Sequence, residues 1–293
     1  MADEPGSRDH PVRPAYAKVN LWLNVVGRRP DGYHLLDSLV AFVDLADTVE
    51  ARPADRLSLE LAGPQMGELA GEADNLVLKA ARLLADRAGI PPLAALRLVK
   101  HIPVAAGLGG GSADAAAALR ALANLWRVTL PDGALFDIAG RLGADVPMCL
   151  AGRTAVATGI GDGLQPAPPL PPMAILLVNP GTGLPTRDVF AARRGSFSPV
   201  HPAPTRWRDL PELVAALAER GNDLADAAMS LQPAVSEVLD FLRRAGEARY
   251  ASMSGSGATC FALFDSIAAA RRAAASVPEQ WWRYAGTFVS QAT

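Results

Sequence analysis

Residues 103–118, Pro-Val-Ala-Ala-Gly-Leu-Gly-Gly-Gly-Ser-Ala-Asp-Ala-Ala-Ala-Ala, join a glycine-dense loop directly to a strongly helix-forming alanine run. This junction constrains the rest of the chain. Gly107, Gly109, Gly110 and Gly111 let the backbone take positive φ and come close to a ligand without a Cβ in the way. Ser112 and Asp114 are residue types that start helices, and the pattern predicts a helix from about Ser112 to Trp126. Its first N–H groups lack partners within the helix, and the macrodipole adds the equivalent of about half a positive charge there, so phosphate oxygens are the natural guests. The plainer alternative is a flexible connector before a core helix, but a connector has no need of four glycines in five positions followed by a run of small helical residues. Known phosphate loops do not fit. No Gly-Lys-Ser/Thr follows, and dinucleotide spacing would put its last glycine where Ser112 stands.

The bulk properties suit a two-lobed globular enzyme. Half of the 293 residues are apolar, enough for a substantial core and two domains. A formal charge of −2, from 28 basic and 30 acidic side chains, argues against nucleic acid as the main partner and leaves small phosphorylated ligands. Cys149 and Cys260 both sit in apolar settings, so neither a disulfide framework nor a zinc site has support, and both read as packing residues in a reducing compartment. The first ten residues lack the apolar core of a signal peptide, and nowhere are there ~18 consecutive apolar residues. The expectation is a cytoplasmic protein without a membrane partner.

Along the chain, residues 1–12 are polar and read as disordered. Residues 15–26 alternate as a strand with Lys18, Asn20, Trp22 and Asn24 on one face. That face is either the solvated side of an edge strand or a polar pair that meets a charged group. Gly27–His34 is turn-rich and, with the strand-like 38–43, predicts a hairpin, after which 44–61 continues as short strands. Tyr33 could stack on a flat base and His34 read its edge, although such a pair beside a turn also serves packing and capping. Residues 73–85 form an amphipathic helix with Leu76, Ala80, Leu83 and Leu84 inward and Asp74 as N-cap. Strand 96–102 carries Lys100, either an exposed lysine or a charge for bound phosphate.

A helix over 131–142 leads to Asp145, which follows a Gly-Ala turn. It either caps a backbone amide or, if it lies beside Lys18, is held in orientation by an opposite charge. Residues 159–172 pass from glycines to prolines and mark the best linker. Beyond it come a strand (173–179), a short helix (184–190), a proline-rich excursion (197–208), helices (210–220, 232–245), strand-turn-strand (249–264), a helix (267–277) and a last strand (281–289). There is no internal repeat, and the fold class is α+β.

Three separated motifs, Pro14-Ala-Tyr-Ala-Lys-Val-Asn-Leu with Asp31-Gly-Tyr-His, Gly107-Leu-Gly-Gly-Gly-Ser, and Ser254-Gly-Ser-Gly-Ala, occur in order, with Leu142-Gly-Ala-Asp-Val-Pro between the last two. The set resembles the galactokinase, homoserine kinase, mevalonate kinase and phosphomevalonate kinase (GHMP) superfamily. Within it the set resembles the 4-diphosphocytidyl-2-C-methyl-D-erythritol kinases of the non-mevalonate isoprenoid pathway, over about residues 13–290. The resemblance implies a two-domain fold: an N-terminal ATP-binding α+β domain (13–165) and a C-terminal ferredoxin-like α/β sandwich (173–293).

It further implies that Lys18 and Asp145 are catalytic. Pro103, Val104, Ala105, Ala106, Gly107, Leu108, Gly109, Gly110, Gly111, Ser112 and Ala113 would bind ATP phosphates, with Asn75 and Lys100 near the nucleotide. Asn20 would lie near the substrate diphosphate, Tyr33 and His34 would hold the cytosine, and Thr186 and Phe190 would reach the substrate pocket from the second domain. Partners would be ATP and a cytidine diphosphate-linked small molecule, acting on a monomer or weak homodimer. Mg²⁺ is implied by ATP chemistry, although no dedicated metal cage is visible in the sequence. Two departures stand out: Ala113 replaces a common second serine, and Val40 stands where some relatives have an aromatic residue. The alternatives are a sister kinase with another alcohol substrate, and a nucleotide-binding regulator without chemistry.

Overall fold

A computed structural model describes residues 12–67 and 75–290. Its spine is one strand. Residues 34–52 contain neither glycine nor proline, and they run unbroken as β3 (His34–Arg52) rather than as several short strands. Residues 37–43 are buried throughout, whereas beyond Asp44 buried and less buried positions alternate, so only the first part is covered on both faces. Along one edge β3 pairs with β1 (Val12–Asn20) and β2 (Asn24–Arg28). These two come from the single strand expected over 15–26, which breaks at Leu21–Leu23. The opposite edge takes β5 (Ala95–Val99), β6 (Ala155–Gly159) and the last strand, β11 (Trp282–Val289). β4 (Ser58–Ala62) lies parallel to β5, and β7 (Gly163–Pro166) pairs with β6, so the glycine part of the expected linker is a hairpin.

The second half carries β8 (Ala174–Asn179), β9 (Tyr250–Met253) and β10 (Cys260–Phe264), in the antiparallel order β11-β8-β10-β9. Counting its four strands from β8, the order is 4-1-3-2, the ferredoxin-like arrangement. Helices α5 (Thr186–Ala192), α6 (Leu210–Arg220), α7 (Ala225–Leu231) and α8 (Ala234–Arg244) form the first crossover, and α9 (Ile267–Ala275) forms the second. α7 had no counterpart in the sequence reading. The pairs Phe288↔Val43 and Val289↔Phe42 fuse this sheet to β3.

In the first half α1 (Leu76–Ala88), α2 (Gly110–Leu125), α3 (Ala134–Leu142) and α4 (Val146–Ala151) pack on the sheet around a core drawn from residues 15–157. A second core lies under α5, α7, α8 and α9. A third, under α6, mixes Ile175 and Phe261 with Val19, Trp22 and Leu39, so both halves share it. Trp22 is buried within it, donates from Nε1 to Asp37 (2.9 Å) and carries the Arg220 guanidinium 4.1 Å from its ring centre. α1 buries Val77, Ala80 and Leu84, with Leu76 and Leu83 at the margin. Asn75 is its N-cap, accepting from the Val77 N–H at 2.9 Å; Asp74 lies outside the described residues. Both cysteines are buried, and burial pushes their thiols up, as expected of packing residues. Among the described residues no helix is long and apolar enough to cross a membrane.

Candidate active site

A cleft of about 1340 Å³ opens between the halves. It is lined by Lys18, Asn20, Tyr33, His34, Asn75, Lys100, residues 103–107, residues 109–112, Asp145, Thr186 and Phe190. Two expected members are absent from its wall. Leu108 and Ala113 are buried in hydrophobic clusters, so the serine missing at Ala113 would have pointed into packing rather than at a ligand. Val40 is also core, which removes it as a stacking position.

The loop reaches α2 through two left-handed glycines, Gly107 (φ 74°) and Gly109 (φ 65°, the N-cap). A Cβ on Gly107 would stand 2.5 Å from the Ser254 carbonyl oxygen, and one on Gly109 would stand 2.7 Å from Lys18 Cγ. At these two positions the missing side chain therefore makes room for protein. Gly111 is different: a Cβ there would meet only Leu76, at 3.8 Å. Neither Ser112 nor Asp114 caps α2, because the helix begins before them and makes no side-chain cap bond.

Lys18 is buried beneath this loop. Its Nζ donates to Asn20 Oδ1 (2.6 Å) and lies 3.4 Å from Asp145 Oδ2. Asn20 in turn donates to Ser38 Oγ (2.7 Å), which donates to the Trp22 carbonyl (2.6 Å). The polar face of β1 is thus an interior chain and not a solvated edge. Asp145 stands at the N-cap of α4, yet its side chain makes no cap hydrogen bond and is 49% exposed. The carboxylate faces the cleft with Lys18 as its cation.

Lys100 is neither exposed nor free. Its ammonium donates to Asp114 (2.6 Å) and to Asp47, all three side chains being enclosed. Burial opposes its charge, but the two carboxylates outweigh that and raise its pKa.

Away from the loop, the His34 ring stacks on Phe190 (centroids 5.0 Å apart, planes 25°), joining β3 to α5. Burial, then Arg28 and Arg193, hold His34 below its ordinary value, which favours the neutral imidazole with one donor and one acceptor. Tyr33 is 61% exposed at the rim. Thr186 Oγ1 and Ser256 Oγ share a hydrogen bond of 2.9 Å.

The sequence reading assigned no role to the residues that bind the halves together here. Ser254 Oγ accepts the Asn20 N–H (3.2 Å) and donates to the Gly107 carbonyl (3.0 Å). Asn222 pairs with Leu23 of the first half in an isolated bridge, and within the second half donates to the carbonyls of Met253 (2.8 Å) and Gly255 (2.9 Å). Asp223 accepts from the Val25 N–H (2.7 Å). The Ser-Gly-Ser-Gly motif was the one available signal; Asn222 and Asp223 gave none.

Comparison with known proteins agrees with this geometry. The model for the GHMP kinases N terminal domain matches residues 75–153 and that for the GHMP kinases C terminal matches residues 205–281. A 4-diphosphocytidyl-2-C-methyl-D-erythritol kinase of Rhodospirillum rubrum is 49% identical over 284 residues, covering 96% of this chain and 93% of that protein. Its counterpart in Ruegeria pomeroyi is 54% identical over 253 residues, covering 86% and 88%. A crystal structure of 4-(cytidine 5'-diphospho)-2C-methyl-D-erythritol kinase superposes with a TM-score of 0.78 at 39% identity, over 95% of this chain and 99% of that one. Homoserine kinase of Cytophaga hutchinsonii, at 19% identity and TM-score 0.70, shares the fold. The chain is a GHMP kinase and belongs to the 4-diphosphocytidyl-2-C-methyl-D-erythritol kinase family.

Proposed function

We propose that this protein transfers the terminal phosphoryl group of ATP to the 2-hydroxyl of 4-diphosphocytidyl-2-C-methyl-D-erythritol. The observation that carries the reading is the single cleft in which an anion cradle, a lysine–aspartate pair and an aromatic–imidazole stack face one another. In this reading 13–165 and 173–293 are the two functional units, with the acceptor bound across both.

The amides at the start of α2 and the open side of Gly111 suit phosphate oxygens. Asn75 has its amide oxygen engaged by the Val77 N–H, which fixes the side chain and leaves its amide nitrogen free to donate to a ligand. Lys100 supports the loop from below, its charge already paired. At the reacting centre Asp145, free of any capping bond, orients the acceptor hydroxyl and takes its proton, while Lys18 steadies Asp145 and offsets charge developing on the phosphoryl oxygens. Asn20 fixes the Lys18 ammonium and faces the acceptor's diphosphate. His34, neutral and stacked on Phe190, reads the cytosine edge, and Tyr33 closes over the base from the rim. Thr186 and Ser256 meet the acceptor from the second half.

Mg²⁺ would accompany the ATP phosphates and neutralise part of their charge. Among the described residues no group of three or more His, Cys, Asp or Glu side chains gathers to hold it, which suits an ion that keeps waters and substrate phosphates as ligands.

The test is Asp145→Asn, which keeps the shape and removes the proton acceptor. Turnover in an ADP-release assay with the cytidine substrate is expected to fall by about 10²–10⁴, with ATP affinity and melting temperature unchanged. Near-normal turnover removes Asp145 from the mechanism. ADP release driven by mevalonate or homoserine and not by the cytidine compound refutes the choice of acceptor.

A further inference from the structure

Two carboxylates and one ammonium lie enclosed directly under the phosphate loop, and the mechanism above uses neither acid. The side chains of Lys100, Asp47 and Asp114 are 2%, 0% and 3% exposed. If both acids were ionised, the cluster would carry one uncompensated negative charge. An enclosed charge without a partner is strongly disfavoured. This one would sit in the first turns of the helix whose amides are to receive phosphate, where it would repel the guest.

The hydrogen bonds show which acid carries the charge. Asp47 has every reason to be the carboxylate: one oxygen accepts from Lys100, and the other accepts the backbone N–H groups of His101 (2.5 Å) and Ile102 (2.9 Å). Among the described residues Asp114 accepts only from Lys100, through Oδ2 (2.6 Å), and its buried Oδ1 has no partner. The same lysine thus serves two acids in unequal settings, a fully bonded one on β3 and a half-bonded one on α2. We propose that Asp114 is held as the neutral carboxylic acid beneath the loop, leaving Lys100 and Asp47 as the ion pair, and that ATP binding requires this proton.

Among the described residues the surroundings do not supply a second cation. β1 presents Lys18, already engaged with Asn20 and Asp145. α4 adds the Asp145 carboxylate at its N-cap and the buried Cys149 thiol, which burial keeps protonated. α1 buries only apolar residues, its Lys79, Arg82, Asp86 and Arg87 lying off that stripe, and Asp137 and Arg141 of α3 are exposed. The carboxyl is accordingly pushed up to about 8, chiefly by burial; Lys100 opposes this, and Asp47 adds to it both as a like charge and as an acceptor for the Asp114 proton. Asp114 is a positioning residue in this scheme. Through Lys100 it ties the head of α2 to Asp47, which itself holds the entry of the loop at His101 and Ile102.

The inference rests on reading residues 103–113 as the ATP site, so its test has one arm without ATP. Infrared spectra of the ligand-free full chain near pH 7 should show a buried protonated carboxyl that Asp114→Asn removes; no such band in the wild type overturns the proposal. In the second arm, ATP binding is measured by calorimetry between about pH 7 and about pH 9.5, in buffers of different ionisation enthalpy. Above the Asp114 midpoint, wild-type affinity should weaken by about tenfold per pH unit, with one proton taken up on binding, and Asp114→Asn should show neither effect. Asp47→Asn, which removes the true ion partner, should weaken ATP binding throughout. Proton uptake that persists in Asp114→Asn, or wild-type affinity that is flat across the range, refutes the linkage. Failure of wild-type protein to bind ATP even near pH 7 condemns the reading of the loop, while the infrared arm still decides the state of Asp114.

Discussion

Ser254→Ala removes one oxygen atom and tests whether the two halves of the cleft are held in register by a single hydroxyl. Ser254 is fully buried, accepts the Asn20 N–H at 3.2 Å and donates to the Gly107 carbonyl at 3.0 Å. Alanine leaves one donor and one acceptor without a partner, each worth about 1–3 kcal/mol when buried, so a loss of about 2–6 kcal/mol in unfolding free energy is expected. Other ties survive, including the Lys18 N–H to the Leu108 carbonyl (2.9 Å) and the Thr259 N–H to the Ala106 carbonyl (3.2 Å). The fold should therefore persist while the loop shifts relative to β1. Because Asn20 fixes the Lys18 ammonium at 2.6 Å, that shift should lower kcat by about 10–100-fold, in line with the cost of small misplacements at reacting centres. Urea denaturation with steady-state kinetics measures both quantities. Ser276→Ala, whose hydroxyl donates to the Ala273 carbonyl at the end of α9 (2.8 Å), away from the cleft, serves as control. Loss of less than about 0.5 kcal/mol with unaltered kcat would refute the argument, since it would mean that both backbone groups find other partners at no cost.

Glycine substitutions in the loop should differ sharply. Gly109→Ala combines a left-handed φ of 65° with a Cβ 2.7 Å from Lys18 Cγ and should cut turnover by about 10²-fold or more, whereas at Gly110 a Cβ meets Ile102 Cγ2 at 3.1 Å and a milder loss is expected; kinetics on the pair decides. Tyr33→Ala at the 61% exposed rim should leave the melting temperature unchanged and raise KM for the cytidine substrate by an amount equivalent to about 1–3 kcal/mol, with KM for ATP unmoved. Asp114 also predicts a stability trend: with its folded value raised to about 8 from 3.8, the native state binds a proton that the unfolded chain has released, so stability falls as pH rises across that interval. Thermal melts of Asp114→Asn should lack that share of the decline between about pH 4 and about pH 8.

The glycine loop was legible in sequence because its requirements are local: positive φ and missing Cβ atoms are properties of single residues. What the glycines accommodate was not legible. Gly107 faces Ser254 and Gly257, about 150 positions away in the chain, and Gly109 faces Lys18. The same limit hid the Lys100 cluster, since Lys100 reads as an ordinary strand lysine until the pairing Thr48↔Val99 brings the end of β5 beside Asp47. Asp145 stood out in the sequence, which left open whether it caps a backbone amide or lies beside Lys18; its side chain makes no cap bond at α4 and lies 3.4 Å from the Lys18 ammonium. Asn75 rather than Asp74 closes α1 in the described structure, a shift of one residue of the kind that neighbouring cap-competent side chains invite.

The length of β3 was misread for a reason that bears on the cleft itself. Polar residues in Val43-Asp-Leu-Ala-Asp-Thr suggest a break between short strands, and the strand does depart from regularity there: Tyr16↔Ala46 is followed by Lys18↔Phe42, so β3 takes up two more residues than β1 over the interval. Such an irregularity re-aims the side chains beyond it instead of ending the strand. Before it, β3 carries His34 against Phe190 and Ser38 against Asn20. Beyond it, the odd-numbered positions 45–51 turn inward, and that inward turn puts Asp47 under the glycine loop. At the irregularity itself, Asp44 accepts the Thr287 N–H (2.9 Å), the Thr287 hydroxyl (3.0 Å) and the Tyr284 hydroxyl (3.1 Å), clamping β11 and with it the ferredoxin-like sheet. The polar residues that resemble a strand break therefore join the halves and aim one acid at the base of the glycine loop, while the same strand's start lines the other end of the cleft. A single strand sets the spacing between the two ends, and a slip of one residue in its pairing would misplace both at once.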